Sequence, residues 1–209
     1  MFQLGLLLFR LIGWTLAFVI VAAVVLRLFF LDLAVVGHNA MAPTLVAGDE
    51  VLVWRRGEIE VGDVVVCPYP SRAYDFVVGR VAGKRGDKVA IEEGTLSING
   101  RPALKQRRGS MRFGDPLLRR EETMTYSVEQ LGSKEHGVFE RVRSHASMPP
   151  REIAQGIFLL SDNRQHPGQD SRSFGEVDPS SCLGKVVLRL VPGERAKGGL
   201  PRSYLDPID

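Results

Sequence analysis

The sequence predicts a mainly β domain carried on one N-terminal membrane helix, and three observations predict it. A charge-free apolar run of helical length stands near the N-terminus, short apolar segments punctuated by Gly, Asp and Pro follow it, and a less regular stretch interrupts their second half. With 209 residues, 44% of them hydrophobic, the chain suffices for one medium domain with an insertion and an anchor. The net charge of +3, from 27 basic and 24 acidic residues, is too small an excess for a nucleic-acid footprint. It suits a surface beside anionic membrane lipid.

Residues 1–33 read as the anchor. Leu11 to Leu26 (LIGWTLAFVIVAAVVL) carries no charge and is bracketed by Arg10 and Arg27. The run reaches roughly 20 residues, enough for the hydrocarbon layer, if Arg27 snorkels and Leu28 to Leu31 sink. The competing reading is a cleaved leader, since Ala40-Met41-Ala42 mimics a small-x-small cleavage site. That triplet lies far past the apolar run and Pro43 follows it, which argues for a retained helix. Orientation is weakly marked, with Arg10 and the amino terminus set against Arg27 and Asp32.

Residues 34–105 form the first part of the β domain. Asp49 to Arg55, Asp63 to Cys67, Asp75 to Gly83 and Asp87 to Gly94 are successive strand candidates. Thr95 to Ala103 adds a hairpin whose Asn99-Gly100 pair supplies the positive φ angles of a tight primed turn. Residues 106–150 read as an inserted irregular subdomain, in which Val138 to Val142 alternates as a strand would. Arg101 to Glu121 holds seven basic and two acidic residues, consistent with a solvated loop face or with a surface against acidic headgroups. The β domain resumes over 151–192, with strands at Gly156 to Asp162 and Gly184 to Val191. Residues 193–209, rich in Gly, Pro and charge, are expected to be a loosely ordered tail. Cys67 ends the apolar run VVVC and reads as core; with Cys182 it allows one bridge, and the spacing of the two is not that of a zinc ligand pair. No cofactor is expected.

Three segments in order resemble the boxes of bacterial type I signal peptidases, membrane-anchored endopeptidases that cut signal peptides from exported proteins. VLRLFFLDLAVVGHNAMAPTL is similar to the end of the family's anchor followed by its S-M-x-P-T-L nucleophile motif; Met41, Pro43, Thr44 and Leu45 agree, and Ala40 stands at the serine. FVVGRVAGKRGDKV is similar to the stretch ending K-R-x-x-G-x-P-G-D; Arg80, Val81, Gly83, Gly86, Asp87 and Val89 align, and Gly79 falls on the general-base lysine. SDNRQHPGQDSRSFG is similar to G-D-N-R-x-x-S-x-D-S-R-x-x-G, with Asp162, Asn163, Arg164, Asp170, Ser171, Arg172 and Gly175 matching and one extra residue after Arg164. The resemblance runs from about Val25 to Val191, with the insertion poorly matched.

The resemblance implies a signal-peptidase-like antiparallel β body on the outer, periplasmic side of the bacterial cytoplasmic membrane, with signal peptides or other extended peptides of exported proteins as partners. It also implies what is missing. Peptide hydrolysis by this family needs a hydroxyl to attack the carbonyl and a desolvated, neutral lysine to take its proton. Ala40 and Gly79 supply neither. Pro167 or Gly168 lies where a serine would orient the lysine, and His38 stands where a hydroxyl would help to bind the oxyanion, so no catalytic group is expected intact. Lys84 is the nearest lysine to Gly79 in sequence, and in its turn it should point elsewhere.

The same alignment gives Asp162, Asn163, Arg164, Asp170 and Arg172 a bracing role, with Asp170 and Arg172 paired. It assigns Val36, Gly37, Met41, Leu45, Val77 and Val78 to a peptide groove, and Thr44 to a structural hydrogen bond. His38 and His166, with Asp162 or Asp170, are weak candidates for a metal site or a base pair. The expectation is a non-catalytic peptide-binding or scaffold protein of the export pathway. The alternatives are an active signal peptidase using unorthodox groups and a metal-binding periplasmic domain.

Overall fold

The computed structural model describes residues 2–70, 72, 75–143, 145–166, 168–193 and 197–208. Helix α1 (Phe2–Phe29) opens the chain, and its segment Phe9–Phe29 is long and apolar enough to cross a membrane. Its large side chains are exposed around the whole circumference, with none of the span covered by the rest of the protein. A helix apolar on every face and packed against nothing is solvated by lipid, not water, so the chain is a single-pass membrane protein. The helix stops at Phe29, and Leu31 opens a strand.

Among the described residues the strands are β1 (Leu31–Val35), β2 (Glu50–Trp54), β3 (Val64–Pro68), β4 (Phe76–Lys84), β5 (Lys88–Glu92), β6 (Thr95–Ile98), β7 (Arg101–Pro102), β8 (Lys105–Asp115), β9 (Arg120–Leu131), β10 (Lys134–Arg141), β11 (Met148–Glu152), β12 (Ile157–Leu160), β13 (Gly184–Val191), β14 (Lys197–Gly198) and β15 (Asp206–Pro207). A short helix, α2 (Ser171–Phe174), follows β12. The largest sheet runs β1-β2-β13-β3-β4-β12, with β15 added to β13. A second sheet runs β10-β9-β8-β14 and a third β11-β5-β6-β7, and every pairing within the three sheets is antiparallel. The body is therefore mainly β behind one apolar helix.

Side-chain alternation divides the large sheet's two faces. Val64 and Val66 of β3 join Val36, Met41, Leu45 and Val78 in one apolar cluster, while Val65 and Cys67 join Val77, Val81 and Leu159 in another. Two edges are left open near this core. Strand β1 pairs only with β2, and β12 pairs β4 from Arg80 to Lys84, leaving Phe76–Gly79 with β3 as its sole strand partner among the described residues.

Two expectations are corrected here. Residues 106–150 are not irregular: β8, β9 and β10 are long, regular strands, and Val138 lies inside β10. The tail is ordered over 197–208, because β14 pairs with β8, β15 pairs with β13, and Ile208 enters the core cluster of Met41 and Leu45. Asn99 and Gly100, with φ of 54° and 75°, make the turn between β6 and β7 that the sequence predicts. Cys67 and Cys182 form a disulfide, so Cys67 is both core and bridge.

Candidate functional site

The nucleophile segment leaves β1 at Val36 and turns through a 3-10 helix, Asn39–Met41. His38 caps this turn, its Nδ1 accepting the Ala40 N–H at 3.3 Å. The Ala40 carbonyl accepts the Asn163 N–H at 2.8 Å, which ties the first box to the third. Ala40 is fully buried. Gly79 lies opposite Val65 in the β3–β4 ladder, and a Cβ at this position would lie 3.0 Å from the Leu159 Cβ. By alternation Gly79 shares its face with Val77 and Val81, an apolar setting that would keep an amine neutral.

Two hydroxyls near these positions are engaged with other partners. Thr44 Oγ1 donates to Asp162 Oδ2 at 2.5 Å, and Ser171 Oγ accepts the Leu159 N–H at 2.9 Å. Ser161 Oγ is buried with no hydrogen-bond partner among the described residues. Lys84 pairs with Glu60 at 2.9 Å, away from Gly79 as expected. Pro167 lies outside the described residues; Gly168 offers its carbonyl to Tyr69 Oη at 2.7 Å.

His38 and His166 do approach each other, with ring centroids 5.8 Å apart. Their carboxylate neighbour is Asp115, not Asp162 or Asp170: His166 Nε2 stands 3.5 Å from Asp115 Oδ2, and Asn39 Nδ2 donates to Asp115 Oδ1 at 2.8 Å. Burial, and then the adjacent His166, pushes the His38 imidazole down to about 4 against the pull of Asp115, so the ring is neutral near pH 7. Accepting the backbone N–H at Nδ1 favours the tautomer that carries the ring proton on Nε2. Among the described residues no group of three or more His, Cys, Asp or Glu side chains is placed to hold a metal ion.

The bracing residues form a buried ionic unit. Arg80 grips Asp162 with Nε and Nη2, both at 3.0 Å, and donates Nη1 to the Gly62 carbonyl at 2.7 Å. Arg164 pairs with Glu129 of β9. His136 of β10 stands between the two acids, 3.5 Å from Glu129 and 3.6 Å from Asp162. Burial pushes the Asp162 and Glu129 carboxyls up, but the arginines and His136 outweigh it; Asp162 falls below the ordinary range and Glu129 falls to about 2. Asp170 caps α2, accepts the Ser161 N–H at 3.1 Å and pairs with Arg172 at 2.7 Å, and Arg172 also holds the Arg164 carbonyl at 2.9 Å. Asn163 Nδ2 reaches the Asn39 carbonyl at 3.4 Å.

Sequence reasoning named Asp162, Asn163, Arg164, Asp170 and Arg172 but missed Glu129, His136 and Asp115, whose strands carry no motif. Of the groove residues, Val36, Met41, Leu45 and Val78 are buried together, Val77 is buried on the opposite face, and Gly37 is exposed.

Comparison with known proteins agrees with this arrangement. Residues 9–191 match the family model described as "Signal peptidase, peptidase S26". The chain is similar to Signal peptidase I of Bacillus caldolyticus, with 32% identity over 185 residues that cover 86% of this chain and 88% of that protein. It is also similar to Signal peptidase IB of Staphylococcus aureus strain N315, with 29% identity over 166 residues, 74% of each chain. With nine-tenths of its length matched, and with the three boxes packed around Ala40, Arg80 and Asp162, the chain belongs to the signal peptidase family, peptidase S26.

Proposed function

We propose that this protein is a non-catalytic signal-peptidase homologue that holds extended segments of exported proteins at the outer face of the bacterial cytoplasmic membrane. One observation supports the reading: alanine and glycine stand where the resemblance puts the family's nucleophile and base, and among the described residues none of the hydroxyls of Thr44, Ser161 and Ser171 is hydrogen-bonded to a lysine or histidine. In serine hydrolases, loss of the nucleophile costs on the order of 10⁶ in turnover, and oxyanion contacts leave about 10³ over water. That residue of activity is far too slow to process secreted protein. His38, neutral and capping Ala40, makes no hydrogen bond to a hydroxyl among the described residues.

Peptide binding has physical support of its own. Strand β1 exposes a backbone edge to which an extended chain can add, and Phe76 is exposed at the end of β4 that lacks a second strand partner among the described residues. Leu33 and Val35 are exposed along β1. Peptide adding there would gain main-chain hydrogen bonds and apolar cover together. The Cys67–Cys182 bridge supports an oxidising compartment, hence the outer side of the membrane.

The test uses full-length protein in detergent with a fluorescent signal peptide bearing an A-x-A site. Saturable anisotropy without any cleavage product is expected. Cleavage lost on His38→Ala would favour an unorthodox peptidase, whereas absence of both binding and cleavage would contradict the peptide-binding role.

A further inference from the structure

At the foot of α1 an open cleft lies between the last helical turn, the end of β2 and the segment Ser181 to Leu183. Arg55 and Arg56 line it together with Leu28 and Phe29. We propose that this cleft binds the phosphodiester headgroup of an anionic membrane phospholipid.

Depth is the first argument. The span ends at Phe29, so the cleft opens where the hydrocarbon layer gives way to lipid phosphates. Phe30 and Trp54 stack beside it with centroids 5.6 Å apart, an aromatic pair of the kind that settles at headgroup level. Charge is the second. Arg27, Arg55 and Arg56 meet one carboxylate, Asp32, which stands 3.3 Å from Arg27 and 3.6 Å from Arg55. Two positive charges are left over, and a lipid anion supplies the missing counter-charge.

A plainer account is that the arginines only cap the carbonyl end of the helix. They do so in part: Arg55 Nη1 donates to the Leu28 carbonyl and Arg56 Nε to the Phe29 carbonyl, each at 3.3 Å. Capping uses one N–H of each guanidinium, and a guanidinium carries five. Arg56 has no hydrogen bond or ion pair besides this one among the described residues, so its Nη donors remain for a ligand lining the same cleft. The site depends on the membrane helix and not on the peptide-binding reading.

The experiment titrates short-chain phosphatidylglycerol into full-length protein in a neutral detergent and follows the midpoint of thermal unfolding. A saturable rise is expected, with half-saturation weakened roughly fivefold by Arg56→Gln and roughly 30-fold by Arg55→Gln with Arg56→Gln, from about 1 kcal/mol per basic residue near a lipid surface. Asp32→Asn removes the competing carboxylate and should tighten binding, so the idea stays testable if the double variant does not fold. Arg107→Gln with Arg108→Gln, on the exposed part of β8, should change nothing. Unchanged half-saturation in Arg56→Gln and in Asp32→Asn would overturn the site. An equal response to phosphatidylcholine would overturn its selectivity for anions, and inorganic phosphate acting at the same concentration would make it a free-anion site instead.

Discussion

Two halves of one neighbourhood have had opposite fates. Ala40 and Gly79, which the resemblance places at the family's nucleophile and base, are held among apolar neighbours. One residue further along β4, Arg80 keeps a two-point grip on Asp162, and four residues beyond Ala40, Thr44 donates to the same carboxylate. The contrast separates what the boxes do for hydrolysis from what they do for folding. Buried charges paired this closely are costly to break singly, so under the proposed non-catalytic reading they are retained for structural reasons.

The contrast is most sharply tested by breaking the retained half. Asp162→Asn leaves Arg80 buried without its counter-charge and should destabilise the domain by about 3–5 kcal/mol, read from denaturant unfolding in detergent. A cost below about 1 kcal/mol would mean that the ionic unit is not what holds the boxes. Reducing the Cys67–Cys182 bridge, which spans 115 residues, should cost about 2–5 kcal/mol by the same measurement.

A smaller effect comes from the emptied half. The folded-state pKa of His38, about 4, lies below its ordinary 6.5, so the unfolded chain takes up the proton first. The stability linked to His38 is therefore complete above pH 6.5 and is lost as pH falls from there towards 4, by about 2 kcal/mol at pH 5. His136 is depressed in the same direction, so the contribution of His38 is read as the difference from His38→Asn, which preserves a capping acceptor. The variant should lose less stability than the parent between pH 7 and pH 5; identical slopes would contradict the burial of the His38 ring. Smaller still, Thr44→Val removes one donor from Asp162 and should cost about 1–2 kcal/mol.

What the sequence made legible follows from how local each signal is. The membrane helix, β2 to β6, β12 and β13 each carry an apolar run or a turn pair within a few residues, and all were readable. Strand β1 was hidden because LDLAV continues the anchor's apolar composition. The β8–β9 hairpin escaped because Gln106, Arg107, Arg108, Ser110 and Arg112 of β8 are polar and exposed, so alternation leaves no apolar stripe to read. The order of the tail depends on Ile208 reaching a distant core and on Arg189 pairing with Asp206.

In the site, motif residues were found and their partners were not. Glu129 and His136 meet Arg164 and Asp162 only through the packing of one sheet on another, and the Asp115–Asn39 bond joins residues 76 positions apart. The choice of Asp162 or Asp170 as neighbour to the histidines failed for the same reason: each already serves another partner, Arg80 for Asp162 and Arg172 for Asp170.

The central claim concerns the missing pair, and restoring half of it is the most direct examination. Ala40→Ser, purified at full length and incubated with a signal peptide containing an A-x-A site, should give no product by mass spectrometry, because Gly79 provides no amine to take the serine proton. Robust cleavage at that site by Ala40→Ser alone would mean that another group acts as the base, and the account of a chain without catalytic machinery would be wrong.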